Sequence, residues 1–272
     1  MTRRRSVLLI SLIVIFFAGG CALMFDSFAR QMLYPAPPVP VPSPPPPPLE
    51  EVWLDAKTGD RILGWTSARP APEGAPVVLF FHGNGENLET LRYAGLLEDL
   101  EALGVAFLAV DYPGYGRSSG DPSEEGLLAT GEAAVAWARE RHPGRPVVSC
   151  GWSLGAAVAI AMAARHPEEV AGLIALSPWT TLEEAARLIF PGFAVKALLR
   201  ERYDSLAAAR RIHVPALVIH GELDEMIPAS HGKQIAEALA TGRWVSVPRT
   251  GHNDLMGQPV VWEEIRRFLA GL

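Results

Sequence analysis

Beyond residue 48 the chain alternates between two kinds of segment. After two opening strands, "EVWLDA" and "RILGWTSA", short continuous apolar runs rich in Val, Ile, Leu and Phe come as "PVVLFFHG", "GVAFLAVDYPG", "RPVVSCGWS", "VAGLIALSPW", "VPALVIHGELD" and "RWVSVPRTGH". Runs of this kind read as strands buried on both faces by crossover helices. Between or after them lie "NLETLRYAGLLEDLEAL", "SEEGLLATGEAAVAWARERH", "SLGAAVAIAMAARH", "SHGKQIAEALA" and "QPVVWEEIRRFLAGL", each with apolar residues at helical spacing. The first two strands are joined at Thr58-Gly59-Asp60, a turn signal. Strand and helix in alternation predict an α/β protein with a mostly parallel, eight-stranded sheet flanked by helices.

The N-terminal pattern is different. "TRRR" precedes an apolar stretch, Val7–Ala18, with the length of a secretory signal core, and the small residues Ala18-Gly19-Gly20 then lead to Cys21. The arrangement resembles a bacterial lipoprotein signal, in which Cys21 becomes the lipidated first residue, although Ala18 stands where leucine is usual. Continued to Phe25, the same stretch carries no charge and is long enough for a marginal membrane span. A lipoprotein signal, an uncleaved anchor and a released protein therefore all remain readings of residues 1–25. In each case the three arginines stay in the cytoplasm and the bulk faces outward. Residues 26–48 follow as a spacer. Their "PAPPVPVPSPPPPP" lacks the N–H groups that helices and central strands need and is expected as polyproline II, rising about 3.1 Å per residue. Residues 49–272 form the expected globular domain, with a small helical lid at about 180–212.

Composition narrows the function. A formal charge of −6 and no basic stripe exclude a typical nucleic-acid binder, and a monomer is expected. With two cysteines, one of them in the N-terminal segment, no disulfide framework forms; Cys150 inside an apolar run reads as a small core residue. No Cys/His cluster has metal-ligand spacing and no dinucleotide fingerprint opens a strand-to-helix turn, so neither metal nor cofactor is expected.

In a doubly wound sheet, ligands sit beyond the carboxyl ends of the strands. Applied as a filter, that rule selects His82 to Gly85, Asp111, Ser153, Asp224 and His252. Ser153 lies in Gly151-x-Ser153-x-Gly155, between a buried strand and a small-residue helix. There a serine on a tight elbow gains a helix N-terminus, whose free N–H groups favour developing negative charge. The N–H groups of Leu154 and of Asn84, in "FFHGNGEN", are the candidate oxyanion donors. Asp224 and His252, each just past a later strand, complete the order Ser, Asp, His. Taken singly, each has a plain structural reading as turn former, cap or core histidine. Glu222 is the reserve acid, and Asp111 and Tyr112 read as structural.

The stretches "HGNGEN", "DYPGYGRSSG", "GWSLGAAVA", "FPGFAVKALLRERYDS", "HGELDEMIP" and "GHND" resemble the α/β-hydrolase superfamily from about residue 50 onward. They are closest to its membrane-anchored hydrolase-domain, serine-aminopeptidase-like and monoglyceride-lipase-like proteins. Ala156 stands where glycine is common. The resemblance implies Ser153 as nucleophile, Asp224 as acid and His252 as base. It also implies cleavage of a small acyl ester or thioester; the expectation of a membrane reached through the N-terminus, at the exocytoplasmic face, comes from residues 1–25 instead. A peptidase or amidase of the same fold and a non-catalytic tethered binding protein are the competing expectations. Leu188, Ile189, Phe190, Phe193, Leu198 and Leu199 exceed what one helix face needs. They are expected either to line the acyl site or to cover the sheet edge, with Trp152 also near the acyl side.

Overall fold

The computed structural model describes residues 31, 33–39, 44–188, 195 and 201–272. Residues 1–25 with Cys21, and Ile189, Phe190, Phe193, Leu198 and Leu199 of the expected lid, lie outside the described residues. Among the described residues no helix is long and apolar enough to cross a membrane.

Eight strands form one sheet: β1 (Leu49–Asp55), β2 (Arg61–Ser67), β3 (Val77–Phe81), β4 (Ala106–Val110), β5 (Val147–Trp152), β6 (Val170–Leu176), β7 (Ala216–Gly221) and β8 (Gly242–Val247). Their spatial order is β1-β2-β4-β3-β5-β6-β7-β8. The β1–β2 hairpin is antiparallel and β2 pairs antiparallel with β4. Every pairing from β4 through β3 to β8 is parallel. The helices are α1 (Leu88–Tyr93), α2 (Leu96–Ala102), α3 (Glu124–Arg141), α4 (Leu154–Arg165), α5 (Leu182–Arg187), α6 (Ser205–Ala209), α7 (Ala229–Ala238) and α8 (Pro259–Leu269).

Successive strand side chains point to opposite faces, and the core divides accordingly. Val77, Leu79 and Phe81 of β3 join Leu108 and Val110 of β4 and Val218 of β7 in one cluster, with Leu127 and Val135 of α3, Ile160 of α4 and Ile235 of α7. Val78 and Phe80 join Phe107, Leu217 and Ile219 in the other, with Leu97 and Leu100 of α2 and Ile265 of α8. Cys150 belongs to this second cluster, and burial pushes its thiol far up. The apolar runs of β3 to β7 are thus strands with two dry faces.

Two local expectations are corrected. "NLETLRYAGLLEDLEAL" is two helices rather than one, because Gly95 takes a left-handed φ of 80° between α1 and α2. The last strand is only partly buried, being an outer strand paired on one side by β7. In the lid region, α5 and α6 are the described helices of residues 180–212. Residues at 34–37, given to the spacer by composition, pack on the body: Tyr34 is buried in the first cluster.

Candidate active site

Ser153 links β5 to α4 at φ 55°, ψ −114°. A non-glycine residue with positive φ is strained by about 1–3 kcal/mol and persists only where its surroundings over-determine it. Here the surroundings are glycines. A Cβ on Gly155 would sit 1.9 Å from the Phe81 carbonyl oxygen, and one on Gly151 would sit 2.1 Å from the Gly155 oxygen. The elbow is therefore pressed against the end of β3 with no side chain between. Ser153 occupies the N-cap position, where a serine hydroxyl ordinarily accepts from the next turn. Ser123 and Thr181 do this for α3 and α5. Ser153 makes no side-chain cap, since its backbone is outside the extended region that capping requires. Its hydroxyl is left for other chemistry.

Leu154 is the first residue of α4, and the first N–H groups of a helix have no intrahelical partner. A Cβ on Gly155 would also meet the His82 oxygen at 2.7 Å, so this helix start abuts the loop that carries Asn84. That loop is firmly held. The Tyr112 hydroxyl donates to the His82 carbonyl at 2.7 Å and the Tyr115 hydroxyl to the Asn84 carbonyl at 3.0 Å. His82 Nδ1 lies 2.7 Å from the Gly83 carbonyl, and the Gly83 N–H donates to Glu86 Oε2 at 2.8 Å. Burial pushes the Glu86 carboxyl up, against the opposing pull of His82, the Gly83 N–H and His252. Asp111 works from the far side, accepting from the Leu88 N–H at 2.9 Å.

On the other side of the elbow, Asp224 and His252 meet because two loops touch. A Cβ on Gly221 would lie 2.3 Å from the Thr250 carbonyl oxygen, and the Leu223 N–H donates to that same oxygen at 2.9 Å. Asp224 Oδ1 accepts from the Met226 and Ile227 N–H groups at 3.0 and 2.7 Å, an Asx-type turn. Its Oδ2 lies 2.7 Å from His252 Nδ1. Burial works against the Asp224 charge, yet hydrogen bonds from His220, His252 and Ile227 hold its carboxyl well below the usual carboxylate range. An ionised carboxylate only accepts, so Nδ1 of His252 carries the proton of this bond, and in the neutral imidazole that leaves the lone pair on Nε2. The His252 ring stacks on Trp152, the neighbour of Ser153, with centroids 5.7 Å apart and planes 29° apart. Ser153, Asp224 and His252 are all buried.

The strand-end filter thus selected residues that lie at one end of the sheet. Glu222 is elsewhere: it is exposed and accepts from the Ser246 hydroxyl at 3.1 Å. His220 was overlooked. Its Nε2 lies 3.1 Å from Asp224 Oδ2 and 2.8 Å from the Ile227 carbonyl, which assigns the proton to Nε2. The available signal was its position at the end of β7, hidden inside an apolar run. Glu86 and Tyr115 were also passed over. Leu188 is exposed, whereas its expected partners in the acyl site lie outside the described residues. Among the described residues no group of three or more His, Cys, Asp or Glu is placed to hold a metal ion.

Fold and site together define an α/β-hydrolase arrangement. The family profile for the alpha/beta hydrolase fold matches residues 76–201. An uncharacterised Mycobacterium tuberculosis protein is 35% identical over 94% of this chain and 92% of its own. Alpha/beta hydrolase domain-containing protein 17C of Mus musculus is 32% identical over 81% of this chain and 68% of its own. Protein bem46 of Schizosaccharomyces pombe is 30% identical over 74% and 69%. Among solved structures, the Pyrococcus furiosus esterase Pf2001 superposes with a TM-score of 0.70 at 19% identity, covering 86% of this chain and 98% of that one. Est1E of Butyrivibrio proteoclasticus with bound ferulic acid gives 0.69 at 22%, covering 81% and 98%. The chain belongs to the alpha/beta hydrolase family.

Proposed function

We propose that the chain is a serine hydrolase that cleaves small carboxylic esters or thioesters through an acyl-enzyme. The observation that carries this reading is the Ser153 elbow: a strained, buried serine whose hydroxyl is withheld from capping its own helix. Nε2 of His252 takes the Ser153 proton as the serine oxygen attacks the acyl carbonyl. Asp224 keeps the imidazole in that tautomer and stabilises the imidazolium. The carbonyl π electrons move to oxygen, and the N–H groups of Leu154 and Asn84 bind that oxyanion. Collapse expels the alkoxide or thiolate, which takes the proton back from His252. Water, activated by the same imidazole, then releases the acid and restores Ser153.

Ester chemistry is preferred over peptide chemistry because esterases occur among solved structures with this fold. The N-terminal residues 1–25 would attach the body to the membrane at the exocytoplasmic face, through lipidated Cys21 or an uncleaved helix. Residues 26–48 would lead from that anchor to the hydrolase domain. A fluorophosphonate probe tests the catalytic reading. It should label the wild-type chain at Ser153 and fail on Ser153→Ala; a wild-type chain that neither reacts with the probe nor hydrolyses any ester would overturn it. Cys21→Ser tests the anchor: loss of lipid labelling supports the lipoprotein route, and a soluble wild-type chain would contradict both forms of attachment.

A further inference from the structure

We infer that residues 33–37 form a strap that positions the Asn84 loop, with Asn87 as the link between them. The argument starts at Asn84. Peptide units are planar, so its N–H lies in one plane with the Gly83 carbonyl, and its own carbonyl lies in the next plane, across Cα. His82 Nδ1 pins the plane before it through the Gly83 carbonyl at 2.7 Å. The Tyr115 hydroxyl pins the plane after it through the Asn84 carbonyl at 3.0 Å. His82 thus aims the N–H itself, and Tyr115 limits the turn of the chain just beyond it.

Ala36 packs against the core cluster that includes Tyr115, and its amide pulls against the burial that pushes the Tyr115 hydroxyl up. The hydrogen-bonded tie reaches the far end of the same loop, where Asn87 Nδ2 donates to the Pro37 carbonyl at 2.9 Å. Asn87 meanwhile caps α1 through Oδ1, so one side chain joins strap, loop and helix. The strap itself is clamped. Tyr34 is 3% exposed and its hydroxyl lies 2.8 Å from that of Tyr203, while Leu33 packs on the same core cluster. Ala36 has φ 41°, a strained value for alanine that persists only under such restraint.

The kinetic arm rests on the hydrolase reading; the exchange arm does not. Two full-length variants release the strap. Ala36→Pro demands a negative φ where the strap has φ 41°. Asn87→Asp keeps the α1 cap but loses the donor to Pro37. Backbone hydrogen exchange across residues 82–88 should quicken in both, whether or not the wild-type chain turns over substrate. With p-nitrophenyl acetate, kcat should fall about tenfold with KM nearly unchanged, a fraction of the 10²–10³ that removal of an oxyanion donor costs. Tyr115→Phe should reproduce both effects. Unchanged exchange across 82–88 in Ala36→Pro and Asn87→Asp would overturn the strap, whereas an inactive wild-type chain with quickened exchange in the variants would overturn only the hydrolase reading.

Discussion

His220 and His252 share one carboxylate oxygen: Asp224 Oδ2 lies 3.1 Å from Nε2 of the first and 2.7 Å from Nδ1 of the second. Hydrogen bonds to a charged group contribute about 1.5–3 kcal/mol. His220→Leu should therefore lower kcat by about ten- to a hundredfold, with a smaller change in KM, because Asp224 is left freer to turn. Steady-state kinetics on a soluble ester checks this. A kcat equal to wild type would make His220 a packing residue only.

Asp224 and Glu222 lie two residues apart and have different surroundings. Asp224 is buried against two imidazoles, and Glu222 is exposed beside Ser246. Asp224→Asn should lower kcat by about 10⁴ through loss of the correct tautomer, and Glu222→Gln should leave it near wild type. The reverse ranking would assign the acid role to Glu222.

Acid stability follows from the same carboxylate. Its folded pKa is depressed, so the ionised group contributes stability that is fully present above the unfolded carboxylate value, near 3.9. That contribution is lost as pH falls through this value towards the folded one. Asp224→Asn removes it, so the variant should be less stable at neutral pH and lose less Tm on acidification. Tm curves that run parallel for the two proteins would contradict this.

The elbow predicts a steric cost. Gly155→Ala would place a methyl carbon 1.9 Å from the Phe81 carbonyl oxygen. Overpacking of this kind costs about 1–3 kcal/mol or more, because two backbone segments and not a flexible side chain must move. Denaturant unfolding should show the loss together with a drop in Ser153 reactivity. A variant as stable as wild type would mean that the elbow is looser than described.

The sheet was legible because strands with two dry faces read as unbroken apolar runs, as in Val77–Phe81 and Ala216–Gly221. The strand-end rule points to Ser153, Asp224 and His252 without any distance; the structure buries all three and joins Asp224 to His252. His220 escaped it since it lies inside an apolar run and its partner comes four residues later. Gly95 sits inside a run with helical spacing, though its left-handed φ divides α1 from α2. The docking of Tyr34 depends on Tyr203, 169 positions away, which no local pattern reports. Its prolines spoke only for an extended backbone, and they said nothing of what that backbone touches.

The central claim is that Ser153 carries the acyl group. Chain mixed with an activated ester, acid-quenched within the first turnovers and digested, should show one acyl adduct by peptide mass spectrometry, on Ser153. The adduct and ester hydrolysis should both vanish in Ser153→Ala. Turnover that persists in that variant, or an adduct on another residue, would contradict the account.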